Sequence, residues 1–291
     1  MRTNRQQFYR VFFAASMLIL LASGPILADN VYVSCWGGNT IKKFDSRGNM
    51  SIFASGLGFL RRGLAFDSSG NLYAVDWGSG TDITKFDSSG NGSAFGPGLG
   101  AEDIALDSRG NLYEACSDIW WTIYKVSPRG QVSMFADYPG PMGSGHVSGL
   151  ACNSSDNLYV SFGSQITKFD SSGHQSIFAS SLSVEGIAFD SSGNLYAACG
   201  STIKEFDSNG NMSIFASGLS GIWDLACGSS GNIYAINNDS GTIEKFDSSG
   251  NMSIFASGLN NPCGIAVLVP EPTTILLLGL GGMALVRRRK R

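Results

Sequence analysis

The chain has 291 residues, of which 43% are hydrophobic and 15% are charged, so it is long enough and apolar enough to bury a large core. Its formal net charge is −3 at pH 7. This balance excludes nucleic acid as a partner, because binding to phosphate requires a basic face.

The N-terminal segment has the layout of a secretory signal peptide. Three arginines in the first ten residues precede an apolar run from Val11 to Ala22, and the small residue Ala28 follows. We therefore expect residues 1–28 to be a signal peptide that is cleaved after Ala28. An uncleaved membrane anchor is the alternative.

A unit of about 40 residues recurs through residues 29–268, and Gly186 to Ser217 is its cleanest copy. Four short apolar runs in this copy are separated by clusters of Asp, Ser, Gly and Asn, the pattern of strands joined by tight turns. The Asp-x-x-Gly-Asn clusters favour a type I turn with glycine in the left-handed conformation, which makes a hairpin with a bulge. Each unit is therefore predicted to be a four-stranded antiparallel meander.

The number of units follows from a tyrosine in the second strand of each one: Tyr32, Tyr73, Tyr113, Tyr159, Tyr196 and Tyr234. A period near 40 with four strands per repeat predicts an all-β fold, a six-bladed β-propeller of four-stranded antiparallel blades. The first unit begins in its second strand, at Val31, whereas the last run, Gly264 to Val267, is a first strand with nothing after it. We expect this C-terminal strand to complete the first blade and close the ring.

The repeated phrase GIAFDSSGNLY at residues 186–196 resembles NHL-type and SMP-30/gluconolactonase-like six-bladed propellers. The resemblance covers about residues 29–268. In the SMP-30/gluconolactonase family, metal ligands occupy the slot before the first strand in several blades. Only Glu185-Gly186 matches that pattern here, and Glu102 offers a second acid without the glycine. The resemblance implies an alternative function as a metal-dependent lactonase, with Glu185 and Glu102 as its acids. The cofactor would be a divalent cation such as calcium, held by these two residues together with Asn237 or Asp224.

The C-terminal segment, residues 269–291, combines Pro270-Glu271-Pro272, an apolar run from Thr273 to Val286 and a basic end. The order and spacing of these parts resemble the PEP-CTERM sorting signal of Gram-negative bacteria. That resemblance implies transient anchoring in the inner membrane through a short helix and processing by an exosortase-type enzyme. The expected destination is the cell surface or the extracellular matrix. A plain C-terminal tail anchor with its basic end in the cytoplasm is the alternative.

Removal of both ends would leave an acidic domain. Residues 29–268 carry 22 acidic and 12 basic residues. The exported part of the chain is therefore more acidic than the whole, which strengthens the exclusion of nucleic acid.

In a propeller, the two hairpin turns within each blade lie on one face. The loops between second and third strands and between blades lie on the opposite face, which we call the variable-loop face. Its loops hold every tryptophan of the chain and the longest insertion, and thus a set of candidate binding residues: Trp36, Trp77, Trp120, Trp121, Tyr138, His146 and Trp223. Clustered exposed aromatic residues predict a binding surface for a polysaccharide or a surface protein. Packing of the tryptophans in the channel mouth is the alternative.

The register of the second blade's first hairpin sets Arg62 opposite Asp76, which predicts a structural ion pair. The same register in the first blade sets Cys263 opposite Cys35. In an oxidising compartment, a disulfide between them would tie the two ends of the ring together. Two free thiols are the alternative.

Catalytic constellations are scarce. The chain has only His146 and His174, and His174 falls in a hairpin turn, so a Ser-His-Asp triad has one candidate base. We therefore favour a non-enzymatic binding or scaffold module without a cofactor, acting through the variable-loop face. The metal-dependent hydrolase is the competing hypothesis.

Overall fold

The computed structural model describes residues 28–78, 82–96, 99–116, 122–137 and 147–269. The predicted signal peptide, the sorting motif Pro270-Glu271-Pro272, and the candidates Trp120, Trp121, Tyr138 and His146 lie outside these residues, apart from Ala28. Asp29–Val269 forms one compact unit. Within the described residues, no helix is both long enough and apolar enough to cross a membrane.

The propeller is built from strands. In chain order they are β1 (Asn30–Cys35), β2 (Thr40–Phe44), β3 (Met50–Ala54), β4 (Leu60–Phe66), β5 (Leu72–Asp76), β6 (Ile83–Phe86), β7 (Gly92–Ala94), β8 (Ala101–Leu106), β9 (Leu112–Cys116), β10 (Thr122–Val126), β11 (Val132–Asp137), β12 (Val147–Cys152), β13 (Leu158–Phe162), β14 (Gln165–Phe169), β15 (Gln175–Ser180), β16 (Val184–Phe189), β17 (Leu195–Cys199), β18 (Thr202–Phe206), β19 (Met212–Ser217), β20 (Ile222–Cys227), β21 (Ile233–Asn237), β22 (Thr242–Phe246), β23 (Met252–Ala256) and β24 (Pro262–Leu268). A 3₁₀ turn spans Ser229–Gly231.

The strands form six four-stranded antiparallel sheets, as the sequence predicts. Blade one has the order β24-β1-β2-β3, and blades two to six each take four consecutive strands, beginning with β4, β8, β12, β16 and β20. Each of these first strands packs against the first strand of the next blade, and β20 packs against β24, which in turn packs against β4. These inner strands therefore close a ring around a central channel.

Strand β24 closes the ring in the predicted way. It pairs antiparallel with β1, with Val31 opposite Val267 and Val33 opposite Ile265. The last strand of the propeller thus completes the blade that the first strand begins.

Cys35 and Cys263 are both free thiols in the structure, so it does not contain the disulfide expected across this closure. A bulge between Ser34 and Cys35 shifts the register and sets Cys35 opposite Pro262. The two cysteines also pack in different clusters, Cys35 with Val33 and Cys263 with Leu60. The sequence prediction assumed that the first hairpin of blade one has the same register as that of blade two, and it did not include this bulge.

Most of the hairpin turns owe their geometry to an aspartate carboxylate, although Ser127, Asn153 and Gly228 take its position in three of them. In blade two, Asp67 Oδ1 accepts hydrogen bonds from the backbone N–H groups of Ser69 at 3.0 Å and Asn71 at 2.9 Å. Gly70 N–H donates to the Asp67 carbonyl at 2.9 Å, and its φ of +79° is the left-handed conformation that glycine adopts without strain. The predicted turn type is confirmed, which explains why Asp and Gly recur at this spacing.

Tyrosines of the second strands fill the seams between blades. Tyr32 lies edge-on to Phe53 with ring centroids 5.0 Å apart, and to Phe66 of the next blade at 4.9 Å. Tyr159 repeats this arrangement with Phe178 at 5.0 Å and Phe189 at 4.8 Å. Such edge-to-face pairs add to the stabilisation that burial provides.

Candidate functional site

The mouth of the channel on the variable-loop face is closed by Arg62 of β4. Its Nη1 donates hydrogen bonds to the carbonyl oxygens of Ser148, Glu185 and Trp223, each at 3.2 Å. Its Nη2 lies 2.8 Å from Glu185 Oε2. These partners lie at the starts of the inner strands of blades four, five and six, so one guanidinium from blade two connects four blades. The planar fork of arginine donors suits this role.

Arg62 therefore does not form the ion pair with Asp76 that the register predicted. A bulge between Leu60 and Leu64 places Asp76 opposite Leu60. Asp76 Oδ1 instead accepts a hydrogen bond from the Gly58 backbone N–H at 2.7 Å. The irregularity in β4 frees the arginine side chain to reach across the channel.

Two buried carboxyl groups lie next to the mouth. Asp103 accepts hydrogen bonds from its neighbour Ile104 at 2.8 Å and from Leu150 of blade four at 2.7 Å. Asp224 does the same with Leu225 at 2.9 Å and with Ile265 of blade one at 3.1 Å. Each acid therefore joins two adjacent inner strands.

Burial raises the pKa of both Asp103 and Asp224, while Arg62 and the backbone hydrogen bonds oppose the rise. Both residues line a channel cavity of about 230 Å³, whose walls otherwise come from mainly apolar segments of all six inner strands. The acids thus belong to the framework that holds the inner strands together around the channel.

The candidate metal ligands do not converge at the mouth. Glu185 is paired with Arg62, and Glu102 lies 3.6 Å from Arg61 Nη1. Both oxygens of Asp224 are occupied by backbone N–H groups. The Asn237 side chain points into its own hairpin, where Nδ2 donates to the Ser220 carbonyl and to Glu244, each at 2.8 Å.

These residues do not fit a divalent cation in the channel mouth, because Glu185 and Glu102 are each paired with an arginine and the oxygens of Asp224 accept backbone hydrogen bonds. Among the residues that the structure describes, no group of three or more His, Cys, Asp or Glu side chains is arranged to hold a metal ion.

The predicted aromatic candidates divide into exposed and packed side chains. Trp36 is 58% exposed and Trp223 is 38% exposed. Trp77 is only partly exposed: its Nε1 donates to the Ala101 carbonyl at 2.6 Å, and the Arg61 guanidinium stacks 3.7 Å from its ring centroid. Trp36 and Trp223 are therefore available for a ligand, whereas Trp77 has mainly a packing role.

Phe59, which follows the end of blade one, is 60% exposed on the same face and was missed from the sequence. It lies in the loop between β3 and β4, and the repeat carries no signal for it because the segments between blades vary in length and composition.

Glu114 was also missed from the sequence, although glutamate is unusual at its position. The equivalent second-strand residue in the other blades is alanine or valine. It is fully buried, and neither carboxylate oxygen has a hydrogen-bond partner.

Comparison with known proteins identifies the C-terminal segment. Residues 268–291 match the family model of the PEP-CTERM protein-sorting motif. The chain carries a PEP-CTERM sorting signal. This motif implies export, membrane anchoring before processing, and recognition by an exosortase-type enzyme. No curated protein matches the chain significantly.

Solved structures share the propeller fold at low sequence identity. A chain of a nidogen/laminin complex is 17% identical with a TM-score of 0.69, covering 82% of this chain and 98% of that chain. Virginiamycin B lyase from Staphylococcus aureus is 15% identical with a TM-score of 0.60, covering 81% and 84%. A gluconolactonase from Xanthomonas campestris is 19% identical with a TM-score of 0.57, covering 69% and 77%. The fold is therefore shared by proteins with different activities, and does not assign one.

Proposed function

We propose that this protein is a non-enzymatic binding module of the cell surface or extracellular matrix of a Gram-negative bacterium. Its variable-loop face would hold a polysaccharide. The observation that carries this proposal is the exposure of three large aromatic side chains, Trp36, Phe59 and Trp223, on that face. The sorting signal supports it, because the motif is associated with export.

Flat aromatic side chains suit such a ligand for a physical reason. They bury a large area on binding and lose little conformational entropy, because they have only two rotatable side-chain bonds. The guanidinium of Arg62 lies 5.1 Å from the Trp223 ring centroid, which places hydrogen-bonding groups beside an apolar platform. A sugar ring presents the same combination of apolar C–H faces and hydroxyl groups.

The lactonase alternative requires a divalent cation in the channel mouth. Arg62 and Arg61 weigh against it, since each offers a positive charge to the acids that such a cation would need. The gluconolactonase of known structure shares the fold with this chain at 19% identity, which is no argument for a shared substrate.

Binding to polysaccharide from the producing bacterium tests the proposal directly. We expect Trp36→Ala and Trp223→Ala to weaken binding at least tenfold, while the control Ile177→Ala leaves it unchanged. Ile177 is 67% exposed on the outer strand β15, so this control removes apolar surface elsewhere on the molecule. Equal affinity of all three variants for the polysaccharide would contradict the proposal. Binding to a surface protein, with no binding to polysaccharide, would contradict the choice of polysaccharide as the ligand.

An assay of lactone hydrolysis tests the alternative. We expect no turnover that depends on added divalent cations. Cation-dependent hydrolysis that is lost in Glu185→Gln would overturn the binding-module proposal and establish the hydrolase.

A further inference from the structure

The hairpin between β21 and β22 in blade six departs from the repeat. Asn237 and Thr242 are paired across it, whereas the corresponding pair in blade five is Cys199 and Thr202. The blade-six turn is therefore two residues longer than that of blade five, and, unlike the equally long turn between Cys35 and Thr40 in blade one, it carries an acid, Asp239. A second acid, Glu244, follows in β22.

The position of Glu244 is basic in two other blades of this protein. Glu244 pairs with Ala235, and the corresponding residues are Lys204 in blade five and Lys42 in blade one. The longer turn and the change to glutamate both add carboxylate oxygens at one end of the same hairpin.

Oxygen atoms of the turn converge beside Gly221. A Cβ atom placed on Gly221 would lie 2.6 Å from Asp239 Oδ2 and 2.7 Å from Asn237 Oδ1. The two oxygens therefore flank one point that glycine leaves open. The φ of +67° at Gly221 also favours glycine there.

Glu244 supplies an independent indication that a ligand is needed. The residue is only 7% exposed, and its Oε1 accepts a hydrogen bond from Asn237 Nδ2 at 2.8 Å. Its Oε2 is buried with no hydrogen-bond partner. A buried carboxylate oxygen without a partner is costly, so a bound cation would remove a cost that the protein otherwise bears.

We propose that Asn237, Asp239 and Glu244 form a calcium site in this hairpin, with the Ser220 carbonyl as a further ligand. The Ser220 oxygen lies beside the same side chain, since it accepts a hydrogen bond from Asn237 Nδ2 at 2.8 Å. Two carboxylates, an amide and a backbone carbonyl are oxygen ligands that calcium prefers, and water would complete its coordination. Zinc is disfavoured, because it selects nitrogen and sulfur ligands.

The proposed site is separate from the channel mouth and does not depend on the proposed carbohydrate function. It lies at the end of β21, where Asn237 is opposite Ile222, the residue before Trp223. Calcium binding would therefore hold together the turn, the segment before β20 and the edge of the variable-loop face.

Calorimetric titration of residues 29–269 with calcium, after removal of metal ions, tests this site. We expect a single site with a Kd of about 10⁻⁴ to 10⁻³ M, the range typical of extracellular calcium modules. At about 10 mM calcium, binding to the folded state should raise the Tm by roughly 3 to 8 °C. Magnesium at the same concentration controls for screening of the acidic domain, because it demands a stricter octahedral geometry.

Glu244→Gln and Asp239→Asn should each reduce the calcium affinity at least tenfold and abolish the Tm response. The matched control is Glu185→Gln, the same change at a glutamate of the channel mouth in blade five, which should keep the full response. A calcium response that is retained in Glu244→Gln, or lost in Glu185→Gln, would overturn the proposal. So would the absence of any calcium response, or an equal response to magnesium.

Discussion

Asp29 Oδ2 accepts a hydrogen bond from the Tyr234 hydroxyl at 3.1 Å, although the two residues belong to different blades. Asp29 Oδ1 accepts a second bond from the Ser229 backbone N–H at 2.9 Å. In blade three, the equivalent tyrosine, Tyr113, bonds instead to the aspartate of its own turn, Asp107, at 3.3 Å. Blade six has Gly228 at that turn position, so the carboxylate from the start of the propeller replaces the missing one.

Loss of this carboxylate should destabilise the propeller. Asp29→Ala leaves a buried hydroxyl and a turn N–H without their acceptor, so we expect a loss of about 1–3 kcal/mol in the free energy of unfolding. Urea denaturation measures it. In the double variant Asp29→Ala/Gly228→Asp, the turn regains its own carboxylate and should recover part of the loss. Gly228 has φ −100° and ψ −171°, an extended conformation that aspartate also adopts, and Asp29→Ala removes the carboxylate closest to a Cβ atom there. The Tyr234 ring, 2.8 Å from that Cβ position, must shift, so we expect the recovery to be partial. Additive destabilisation by the two changes would contradict this interpretation.

Arg62 should contribute to stability as well as closing the channel mouth. Arg62→Lys keeps the charge but removes the planar fork that reaches three carbonyl groups and Glu185, so we expect a loss of roughly 2 kcal/mol. Thermal unfolding measures the change. Arg47→Lys, in an exposed turn, is the matched control and should stay within about 0.5 kcal/mol of the parent. Equal stability of the two variants would show that the bridge across the channel contributes nothing.

Glu114 should make stability depend on pH. Its burial, together with the charge of Asp82, raises its pKa from 4.5 to about 8. The folded protein therefore keeps a proton that the unfolded chain releases. The contribution of this residue is complete below pH 4.5 and is lost as the pH rises towards 8.

We expect this loss to reach roughly 5 kcal/mol, because the pKa rises from 4.5 to about 8 and each pKa unit corresponds to about 1.4 kcal/mol. Urea denaturation from about pH 4 to about pH 9 brackets both pKa values and measures the profile. Glu114→Gln, which has no titrating group, should lack this decline and be more stable than the parent at the alkaline end. Parallel profiles for the two proteins would show that Glu114 keeps an ordinary pKa.

Two tryptophans of the variable-loop face should respond differently to truncation. Trp77→Ala removes the hydrogen bond to Ala101 and the platform beneath Arg61, so we expect a loss of about 2–4 kcal/mol. Trp36→Ala removes an exposed side chain and should cost less than about 0.5 kcal/mol. Chemical denaturation of both variants makes the comparison. A large loss for Trp36→Ala would assign it a packing role and weaken its place in the proposed binding surface.

The sequence predicted the fold well because local and repeated features determine it. Asp67 and Gly70 specify a turn through contacts within five residues, and the same pattern recurs along the chain. Tyr32 and its equivalents mark a strand whose partners are also repeated. The blade number and the closure by β24 follow from these regularities.

The site could not be predicted to the same extent, because its contacts depend on departures from the repeat. The bulges in β1 and β4 moved Cys35 and Arg62 away from their expected partners. Arg62 reaches Glu185 across the channel, a contact between blades that no local pattern encodes. Asn237 was placed at the channel mouth by alignment of the blades, but the longer hairpin directs its side chain into the turn.

The pairing of β24 with β1 also determines the order in which the fold can be completed. The hydrogen bond between Ser34 and Cys263 joins residues that are 229 positions apart, and β24 ends immediately before the sorting segment. Until β24 is available, β1 has an unpaired edge that can join a strand of another molecule. The ring cannot close until nearly the whole chain has been delivered. The strand that covers this edge is therefore the last of the described strands, directly before the sorting segment.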